Sequence, residues 1–176
     1  MKLFVVRHGE TDYNKQKRIQ GRINIPLNEN GKNQAINLRN KLKNEHIDLI
    51  ISSPLDRAFQ TATNISDGEI PIIKDNRIIE RNLGNLEGVY SKNYDRYKYN
   101  DLILNTNEEN VEKIKDLYER VGKFLKDLEK YDKNTLLIVT HGGVMGSIHY
   151  HFNKIPDDKN IAINIPDNCE IFEYNL

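Results

Sequence analysis

Three continuous apolar runs stand out along the chain, and each is followed by polar residues and then by a helical pattern. The runs cover residues 3–6, 48–52 and 135–140. Such a run is typical of a strand that is covered on both faces, as in a parallel sheet. The alternation of strands and helices predicts an α/β fold with a central, mostly parallel sheet and helices on both faces. We expect these three strands to lie together at the centre of the sheet.

Apolar residues recur at helical spacing in several segments between these strands. Residues 29–45 follow Asn28, a favourable N-cap, and residues 109–130 carry the longest pattern. Ser53 and Pro54 are typical of a helix start, with the serine as cap and the proline as first helical residue.

The last third of the chain predicts one more helix and then a hairpin. The helix follows the double glycine at 142–143 and is expected to run to about Phe152. Residues 160–165 and 169–174 then alternate apolar and polar side chains, and a proline-containing turn separates them.

Residues 89–110 fit neither pattern, because they are polar, rich in tyrosine and poor in aliphatic side chains. A segment of this length is often a lid or a binding segment, and a passive surface loop is an equal alternative. Its tyrosines and the cations Lys92, Arg96 and Lys98 suit a small polar substrate with a second negative group. We therefore predict one domain over residues 1–176, with residues 89–110 as a possible lid.

Composition and charge narrow the classes of partner. The chain has 176 residues, 38% of them hydrophobic, and its 26 Lys and Arg residues balance 26 Asp and Glu residues. Nucleic-acid and membrane-surface roles usually bring a basic excess, so neither partner is expected. No stretch approaches the roughly 20 apolar residues of a membrane span. Cys169 is the only cysteine, which favours a reducing compartment and hence a cytoplasmic location.

Two histidines stand at the carboxyl ends of predicted strands. Arg7 and His8 follow the first apolar run, and His141 follows the run at 135–140. Ligands of open α/β sheets bind at this edge, and the helix N-terminus after His141 attracts anions. If the strands are neighbours, both imidazoles face one pocket; the alternative is a pair of unrelated histidines.

Two further charged residues are weaker candidates when taken alone. Arg57 lies on the first turn of a predicted helix, where a cation opposes the helix dipole. Its position is better explained if it meets an anion, and a surface arginine is the alternative. Glu80 follows a short apolar run and by itself marks only a polar loop.

Four motifs together resemble the histidine phosphatase superfamily, which contains the cofactor-dependent phosphoglycerate mutases. They are Arg-His-Gly-Glu-Thr at 7–11, Ser-Pro-Leu-Asp-Arg-Ala-Phe-Gln-Thr-Ala at 53–62, Glu-Arg-Asn-Leu-Gly with Glu-Gly at 80–88, and His-Gly-Gly at 141–143. The motifs occur in the order that the family shows and span most of the chain. The resemblance implies the three-layer α/β/α, phosphoglycerate mutase-like fold.

The resemblance also implies an activity and the residues that perform it. The activity is hydrolysis of phosphate monoesters of small metabolites, without a metal or another cofactor. His8 is implied as the nucleophile that becomes phosphohistidine, Glu80 as the proton donor, and Arg7, Arg57 and His141 as ligands of the phosphoryl oxygens. A covalent step divides one difficult displacement into two easier ones, and arginine offers a planar fork of donors. The further substrate-binding residues are Asn14, Gln20, Gly21, Arg81 and Gly142.

The sequence departs from the family pattern at three places. Asn24 stands where the family usually has Asp, and Asn28 stands where a Thr caps the helix. Residues 111–113 (Val-Glu-Lys) stand where a Gly-Glu-Ser element often precedes the long helix. A substrate contact from that Ser is therefore not expected here.

Two other functions remain as alternatives to hydrolysis. Phosphoglycerate mutases of the family carry an added segment after the region of Glu80, and this chain has only residues 89–110 to serve there. A mutase must keep water from its phosphohistidine, so a short lid favours hydrolysis. A non-catalytic phosphate-binding module is less favoured, because all of the implied catalytic groups are present. The sequence leaves the natural substrate and the oligomeric state open.

Overall fold

The structure, a computed structural model, describes residues 1–176 as one five-stranded sheet flanked by helices. The strands are β1 (Lys2–Arg7), β2 (Leu49–Ser52), β3 (Ile72–Lys74), β4 (Thr135–Thr140) and β5 (Ile171–Asn175). Their order is β3-β2-β4-β1-β5, and only β5 runs antiparallel to its neighbour. The three strands predicted from apolar runs are β1, β2 and β4, and they lie side by side at the centre, as predicted.

Helices cover both faces of this sheet. They are α1 (Asp12–Lys15), α2 (Glu29–Lys41), α3 (Asp56–Ser66), α4 (Arg96–Tyr99), α5 (Ile114–Asp127) and α6 (Gly142–Phe152). Leu3 and Val5 of β1 pack in a cluster with residues of α5 and α6, whereas Phe4 and Val6 pack with residues of α2 and α3. Successive side chains of a strand point to opposite faces, so a strand buried on both sides is apolar throughout. The predicted three-layer α/β/α fold is confirmed.

Most helix boundaries follow from the sequence. Asn28 caps α2 as predicted, since its side chain accepts a hydrogen bond of 2.8 Å from the Gly31 N–H. The helix ends at Lys41, four residues before the predicted end. Val111, which belonged to the pattern of the long helix, is buried but precedes α5. None of the helices is long and apolar enough to cross a membrane.

The predicted helix start at residues 53–54 is wrong. Helix α3 begins at Asp56, and the Asp56 N–H donates to Asn24 Oδ1 at 2.8 Å. The Ser53 hydroxyl lies 2.7 Å from His141 Nε2. The Ser53 oxygen accepts only from the Leu55 N–H, at 3.4 Å, which precedes the helix, and Asn24 accepts from the first helical N–H in its place.

The predicted C-terminal hairpin is also wrong. Its second strand exists as β5, but it pairs with β1 and not with residues 160–165. Residues 160–165 run without regular structure against residues 89–110, where Asn160 Nδ2 donates to the Tyr97 carbonyl at 2.7 Å. The alternation of residues 160–165 therefore does not mark a strand of the sheet, and its apolar residues range from buried Ile161 to Ile165, which is 50% exposed.

Residues 89–110 contain short helical turns as well as irregular backbone. They include α4 and 3₁₀ turns at Ser91–Asn93 and Glu108–Asn110. Tyr99 is buried, and Tyr94 stacks on it with ring centroids 5.3 Å apart. The segment is packed onto the rest of the protein rather than projecting from it.

Candidate active site

A cavity of about 380 Å³ opens at the carboxyl ends of the central strands. This volume suits a small molecule. Nine of the ten site residues implied by the sequence line it, namely Arg7, His8, Asn14, Gln20, Gly21, Arg57, Glu80, Arg81 and Gly142. The tenth, His141, lies next to His8 with ring centroids 5.2 Å apart. We call Arg7, His8, Arg57, Glu80 and His141 the strand-end cluster.

His8 is held as a neutral imidazole with a defined tautomer. Its Nδ1 lies 2.7 Å from the Gly9 carbonyl, which can only accept, so the proton is on Nδ1. The lone pair is therefore on Nε2, to which Arg57 Nε donates at 3.2 Å. Burial, with the charges of Arg57 and Arg7, lowers the pKa of His8 well below its usual value. A neutral imidazole with an unprotonated Nε2 is a competent nucleophile at neutral pH once that lone pair is released from Arg57.

Arg57 is almost completely buried and is fixed at both ends of its guanidinium. Its Nη1 donates to the Ile23 carbonyl at 2.9 Å, and its Nη2 donates to the Gly21 carbonyl at 2.7 Å. Gly21 has a φ of +51°, which glycine adopts without strain, and a Cβ there would collide with the Glu87 carboxylate. Burial lowers the pKa of Arg57 to about 10, so the group stays cationic at neutral pH.

Two residues without an implied role hold the backbone around His8. Thr61 accepts a hydrogen bond of 2.9 Å from the Gly9 N–H and donates one to the Arg57 carbonyl at 2.7 Å. Asn168 Nδ2 donates to the His8 carbonyl at 2.9 Å. Thr61 lies within a quoted motif, so its position carried a signal, whereas nothing in the sequence marked Asn168.

The other two basic residues of the strand-end cluster, Arg7 and His141, each have a side-chain nitrogen without a hydrogen-bond partner. Arg7 Nη1 donates to the Pro166 carbonyl at 2.6 Å, but its Nε is buried without a partner. His141 is fully buried and bonded through Nε2 to Ser53, while its Nδ1 has no partner. Burial, with the positive charge of Arg57, lowers the pKa of His141 well below its usual value. Unpaired buried polar atoms are rare in proteins and indicate a place for a ligand here.

Glu80 faces the same cavity through a carboxyl group held from two sides. The Arg81 N–H donates to Oε1 at 2.8 Å, and the Gly143 N–H donates to Oε2 at 3.2 Å. A Cβ at Gly143 would lie 2.6 Å from Glu80 Oε1, so a larger residue would displace the carboxyl group. Only a glycine at this position of α6 allows the approach.

The backbone of Glu80 is anchored by a charged network that the sequence did not reveal. Its carbonyl accepts from Arg22 Nε at 3.0 Å and from Arg120 Nη2 at 3.3 Å. Both arginines pair with Glu112, at 3.1 Å and 2.8 Å. Burial opposes ionisation of Glu112, but the bonds and charge of Arg120 outweigh it and lower its pKa. Glu112 therefore supports the Glu80 loop, and it does not line the cavity.

The remaining implied residues differ in what they offer a ligand. Asn14 Oδ1 accepts from the Thr11 N–H at 3.1 Å, and Gln20 Oε1 accepts from the Thr11 hydroxyl at 2.8 Å, so both side-chain oxygens are already bonded. Arg81 is buried and donates through Nη1 to the Tyr99 carbonyl at 2.7 Å, and its Nη2 has no partner. Arg81 thus connects the strand-end cluster with residues 89–110.

Three cations lie at the mouth of the cavity and are called the mouth cations: Lys17, Arg18 and Arg96. None of them forms an ion pair with a carboxylate. Lys92 and Lys98, which the sequence grouped with Arg96, do not line the cavity, and Lys98 pairs with a carboxylate outside it. Of the three cations that the sequence grouped together, only Arg96 lines the cavity.

The cavity is strongly cationic as a whole. Its lining contains one carboxylate, Glu80, and six cations: Arg7, Lys17, Arg18, Arg57, Arg81 and Arg96. The apolar side is formed by Ile19, Leu83, Ile161, Ala162, Ile163 and Ile165. The chain contains no group of three or more His, Cys, Asp or Glu side chains that could hold a metal ion.

Comparisons with known proteins agree with this geometry. Residues 3–176 match the model of the histidine phosphatase superfamily (branch 1). The chain is 31% identical over 178 residues to the phosphoglycerate mutase-like protein 4 of Arabidopsis thaliana, covering 93% of this chain and 77% of that protein. It is 34% identical over 171 residues to the metal-independent phosphoserine phosphatase of the same plant, covering 86% of this chain and 68% of that protein.

A solved structure is similar over almost the whole chain. It is the mycobacterial glucosyl-3-phosphoglycerate phosphatase in complex with VO3, with a TM-score of 0.87 and 25% identity, covering 98% of this chain and 91% of that one. The fold, the convergence of the motifs and these similarities lead to one conclusion. The chain belongs to the histidine phosphatase superfamily and is a phosphomonoesterase.

Proposed function

We propose that the protein hydrolyses phosphate monoesters of small metabolites through a phosphohistidine on His8. The observation that carries the proposal is the state of His8, a neutral imidazole whose proton is held on Nδ1 by the Gly9 carbonyl. Its Nε2 lone pair faces Arg57, a cation suited to a phosphoryl oxygen. The nucleophilic nitrogen and the arginine that would bind the phosphoryl group are therefore direct neighbours.

In the first step, the phosphoryl oxygens bind Arg7, Arg57 and His141. The Arg57 Nε–H moves its hydrogen bond from His8 Nε2 to a phosphoryl oxygen, which frees the lone pair. His8 Nε2 then forms a bond to phosphorus while the ester P–O bond breaks. Glu80, in its protonated form, gives its proton to the leaving oxygen. Positioning and charge stabilisation supply most of the catalysis in such a transfer.

In the second step, water replaces the leaving group. The Glu80 carboxylate takes a proton from the water as the water oxygen bonds to phosphorus and the N–P bond breaks. Inorganic phosphate leaves, and His8 returns to the neutral form while Glu80 is again protonated. The same group thus acts as acid and then as base.

The other implied residues have supporting roles in this proposal. Asn14 and Gln20 offer their amide N–H groups, because their oxygens accept from the backbone N–H and the hydroxyl of Thr11 respectively. The Gly142 N–H lies at the start of α6, where the helix dipole favours an anion. Gly21 places the carbonyl that orients Arg57.

Phosphoglycerate mutase remains the alternative, because one relative is named mutase-like. We propose hydrolysis as the main activity, since a mutase must shield its phosphohistidine from water. Ile165 lines the cavity and is 50% exposed, which is consistent with access of water. Residues 89–110, the proposed lid, lie against residues 160–165 on the same side of the cavity. Both segments belong to the single proposed domain.

The mouth cations support a substrate class. A phosphoryl group occupies the strand-end cluster, and the mouth cations supply positive charge for a second anionic group. Arg18 and Arg96 donate to the Gly88 and Ile163 carbonyls, which leaves their charge without a neutralising carboxylate. The names of two relatives specify phosphoserine and glucosyl-3-phosphoglycerate, and each of these compounds carries a carboxylate. We therefore propose a small phosphate ester with a second negative group. Metal independence, supported by the name of one relative, and a cytoplasmic location remain predictions.

The test is turnover of p-nitrophenyl phosphate in EDTA by the wild type and by His8→Ala. We expect metal-free hydrolysis in the wild type and a loss of at least about 10³-fold in the variant, since removal of a nucleophile abolishes the covalent route. His46→Ala, which changes an exposed histidine outside the cavity, is the matched control. Undiminished activity of His8→Ala would contradict the proposal, and conversion of 3- to 2-phosphoglycerate faster than phosphate release would favour the mutase.

A further inference from the structure

The hydroxyl of Ser53 and the imidazole of His141 form an isolated buried pair. Both residues are completely inaccessible to solvent, and Ser53 Oγ lies 2.7 Å from His141 Nε2. The Leu55 N–H also reaches Ser53 Oγ, at 3.4 Å. His141 Nδ1 has no partner. The positions of the two hydrogens in this pair decide what His141 can offer a substrate.

The hydrogen-bond count distinguishes two arrangements. A neutral imidazole has one N–H and one lone pair, and a hydroxyl has one hydrogen. If His141 Nε2–H donates to Ser53 Oγ, both the hydroxyl hydrogen and the Nδ1 lone pair are buried without partners. If the hydroxyl donates to Nε2, only the Nδ1–H lacks a partner. Buried polar groups in proteins are nearly always paired, so the second arrangement is favoured.

We infer that Ser53 is a positioning residue that holds His141 in the tautomer with its proton on Nδ1, ready to donate to a phosphoryl oxygen at His8. The inference rests on the proposed function, in which His141 binds a phosphoryl oxygen. The ring of His141 is 5.2 Å from that of His8, so a group carried by His8 is its neighbour. The arriving oxygen supplies the acceptor that the resting protein lacks.

The position of Ser53 in the fold supports this assignment. Serine is a strong N-cap, yet Ser53 does not cap α3, because Asn24 accepts from the Asp56 N–H instead. The serine hydroxyl is thereby left for His141. Without it, His141 can place its proton on Nε2, and the Nδ1 lone pair would then face the phosphoryl oxygen and repel it.

Nuclear magnetic resonance of the resting protein tests the tautomer directly. The two imidazole nitrogens of a neutral histidine differ strongly in chemical shift according to which one carries the proton. In a uniformly isotope-labelled sample assigned through bonds, we expect Nδ1 of His141 to be the protonated nitrogen at neutral pH. A spectrum with the proton on Nε2 would overturn the inference, even if His8-dependent hydrolysis is intact.

Variants at Ser53 add a functional measurement. We expect Ser53→Ala to lose the fixed tautomer and to lower kcat/KM on the order of 10–100-fold. Losses of this size are typical when the hydrogen-bond partner that orients a metal-binding histidine is removed. Ser53→Thr keeps the hydroxyl and should restore both the spectrum and most of the activity. Ser66→Ala removes another buried serine hydroxyl, which donates to the Ile70 carbonyl at the far end of α3, and serves as control.

The outcomes separate this inference from the proposed function. Wild-type activity that persists in His8→Ala would remove the proposed function, whatever the tautomer of His141. An unchanged His141 spectrum in Ser53→Ala, with hydrolysis still dependent on His8, would show that Ser53 does not set the tautomer and would overturn the inference alone.

Discussion

At the floor of the cavity, Arg7, His8 and His141 extend directly from the ends of β1 and β4, whereas the wall is formed by residues 89–110 and 160–165. The floor inherits its geometry from a parallel pair of strands in full register, with Arg7 opposite Thr140. The wall depends on a few long-range bonds, such as that from Asn160 to the Tyr97 carbonyl. A buried sheet tolerates little displacement, while a wall of this kind can change with little effect on the core.

This difference assigns chemistry to the floor and selection to the wall. In the proposed function, the neutral histidines and buried arginines of the floor bind the phosphoryl group and nothing beyond it. The wall contributes Tyr94, Arg96 and the apolar residues at 161–165 to the lining. Changes at the floor should therefore affect all substrates according to their chemistry, and changes at the wall should reorder them.

The largest effect should come from Glu80→Gln at the floor. The variant keeps the size of the side chain but cannot donate a proton to the leaving oxygen, so hydrolysis of an alkyl phosphate such as phosphoserine should fall by about 10²–10⁴. Hydrolysis of p-nitrophenyl phosphate should fall less in its first step, because p-nitrophenolate leaves without a proton. Single-turnover measurements with both substrates check this. An equal loss in the first step for both would exclude Glu80 as the proton donor.

A smaller and selective effect is expected from Arg96→Met at the wall. Loss of one cation should raise KM about tenfold for an ester with a second negative group, which corresponds to about 1.4 kcal/mol. The kcat for that ester and the hydrolysis of p-nitrophenyl phosphate should change little. Lys98→Met is the matched control, because it removes a cation from the same helix that is paired with Glu108 outside the cavity. Equal effects of the two variants would show that the wall does not read the second charge.

The third expected effect is on stability rather than on turnover, and it concerns the floor in acid. The pKa values of His8 and His141 lie well below their usual value in the folded protein, so below about pH 6.5 the unfolded chain binds more protons. The free energy of unfolding should therefore fall with decreasing pH, by up to about 1.4 kcal/mol per pH unit for each histidine. That contribution is fully present above the unfolded pKa.

Urea unfolding between pH 7.5 and pH 5 measures this dependence, with pH values chosen to span the unfolded pKa of about 6.5. His8→Asn should have a shallower slope than the wild type, while His46→Asn, which changes an exposed histidine, should keep it. Parallel slopes for the wild type and His8→Asn would contradict a neutral, buried His8.

The sequence predicted the floor well because its determinants are local. A continuous apolar run defines a buried strand, and the residue after it is fixed at the carboxyl edge of the sheet. Arg7, His8 and His141 are therefore placed correctly as soon as β1 and β4 are neighbours. Arg57 lines the cavity, as expected. A cation at the start of α3 opposes the helix dipole, and this position is better explained if the cation binds an anion.

The wall and the supporting bonds could not be predicted, because they depend on partners distant in the chain. The alternation at 160–165 has the period of a strand, but that segment packs against residues 89–110 and not in a sheet. Serine is a favourable N-cap, so the sequence predicted that role for Ser53. Only the structure shows that its hydroxyl contacts His141 instead. Asn168, which donates to the His8 carbonyl, belongs to none of the recognised motifs.

A deletion of residues 92–100 would not isolate the wall. Tyr99 is buried, and its carbonyl accepts from Arg81, which borders the strand-end cluster. Removal of this turn would leave Arg81 with a further unpaired donor and would disturb the floor together with the wall. Point variants such as Arg96→Met therefore distinguish selection from chemistry more clearly than the deletion does.

The central claim is that the phosphoryl group passes through His8, and rapid quenching under alkaline conditions followed by peptide mass spectrometry tests it most directly. Phosphohistidine survives in base, so the peptide that contains His8 should carry one phosphoryl group during turnover. Glu80→Gln should accumulate more of it from p-nitrophenyl phosphate, because attack by water lacks its base, and His8→Ala should show none. Phosphate release at the wild-type rate without any modified His8 peptide, or with the phosphoryl group on another residue, would contradict the account.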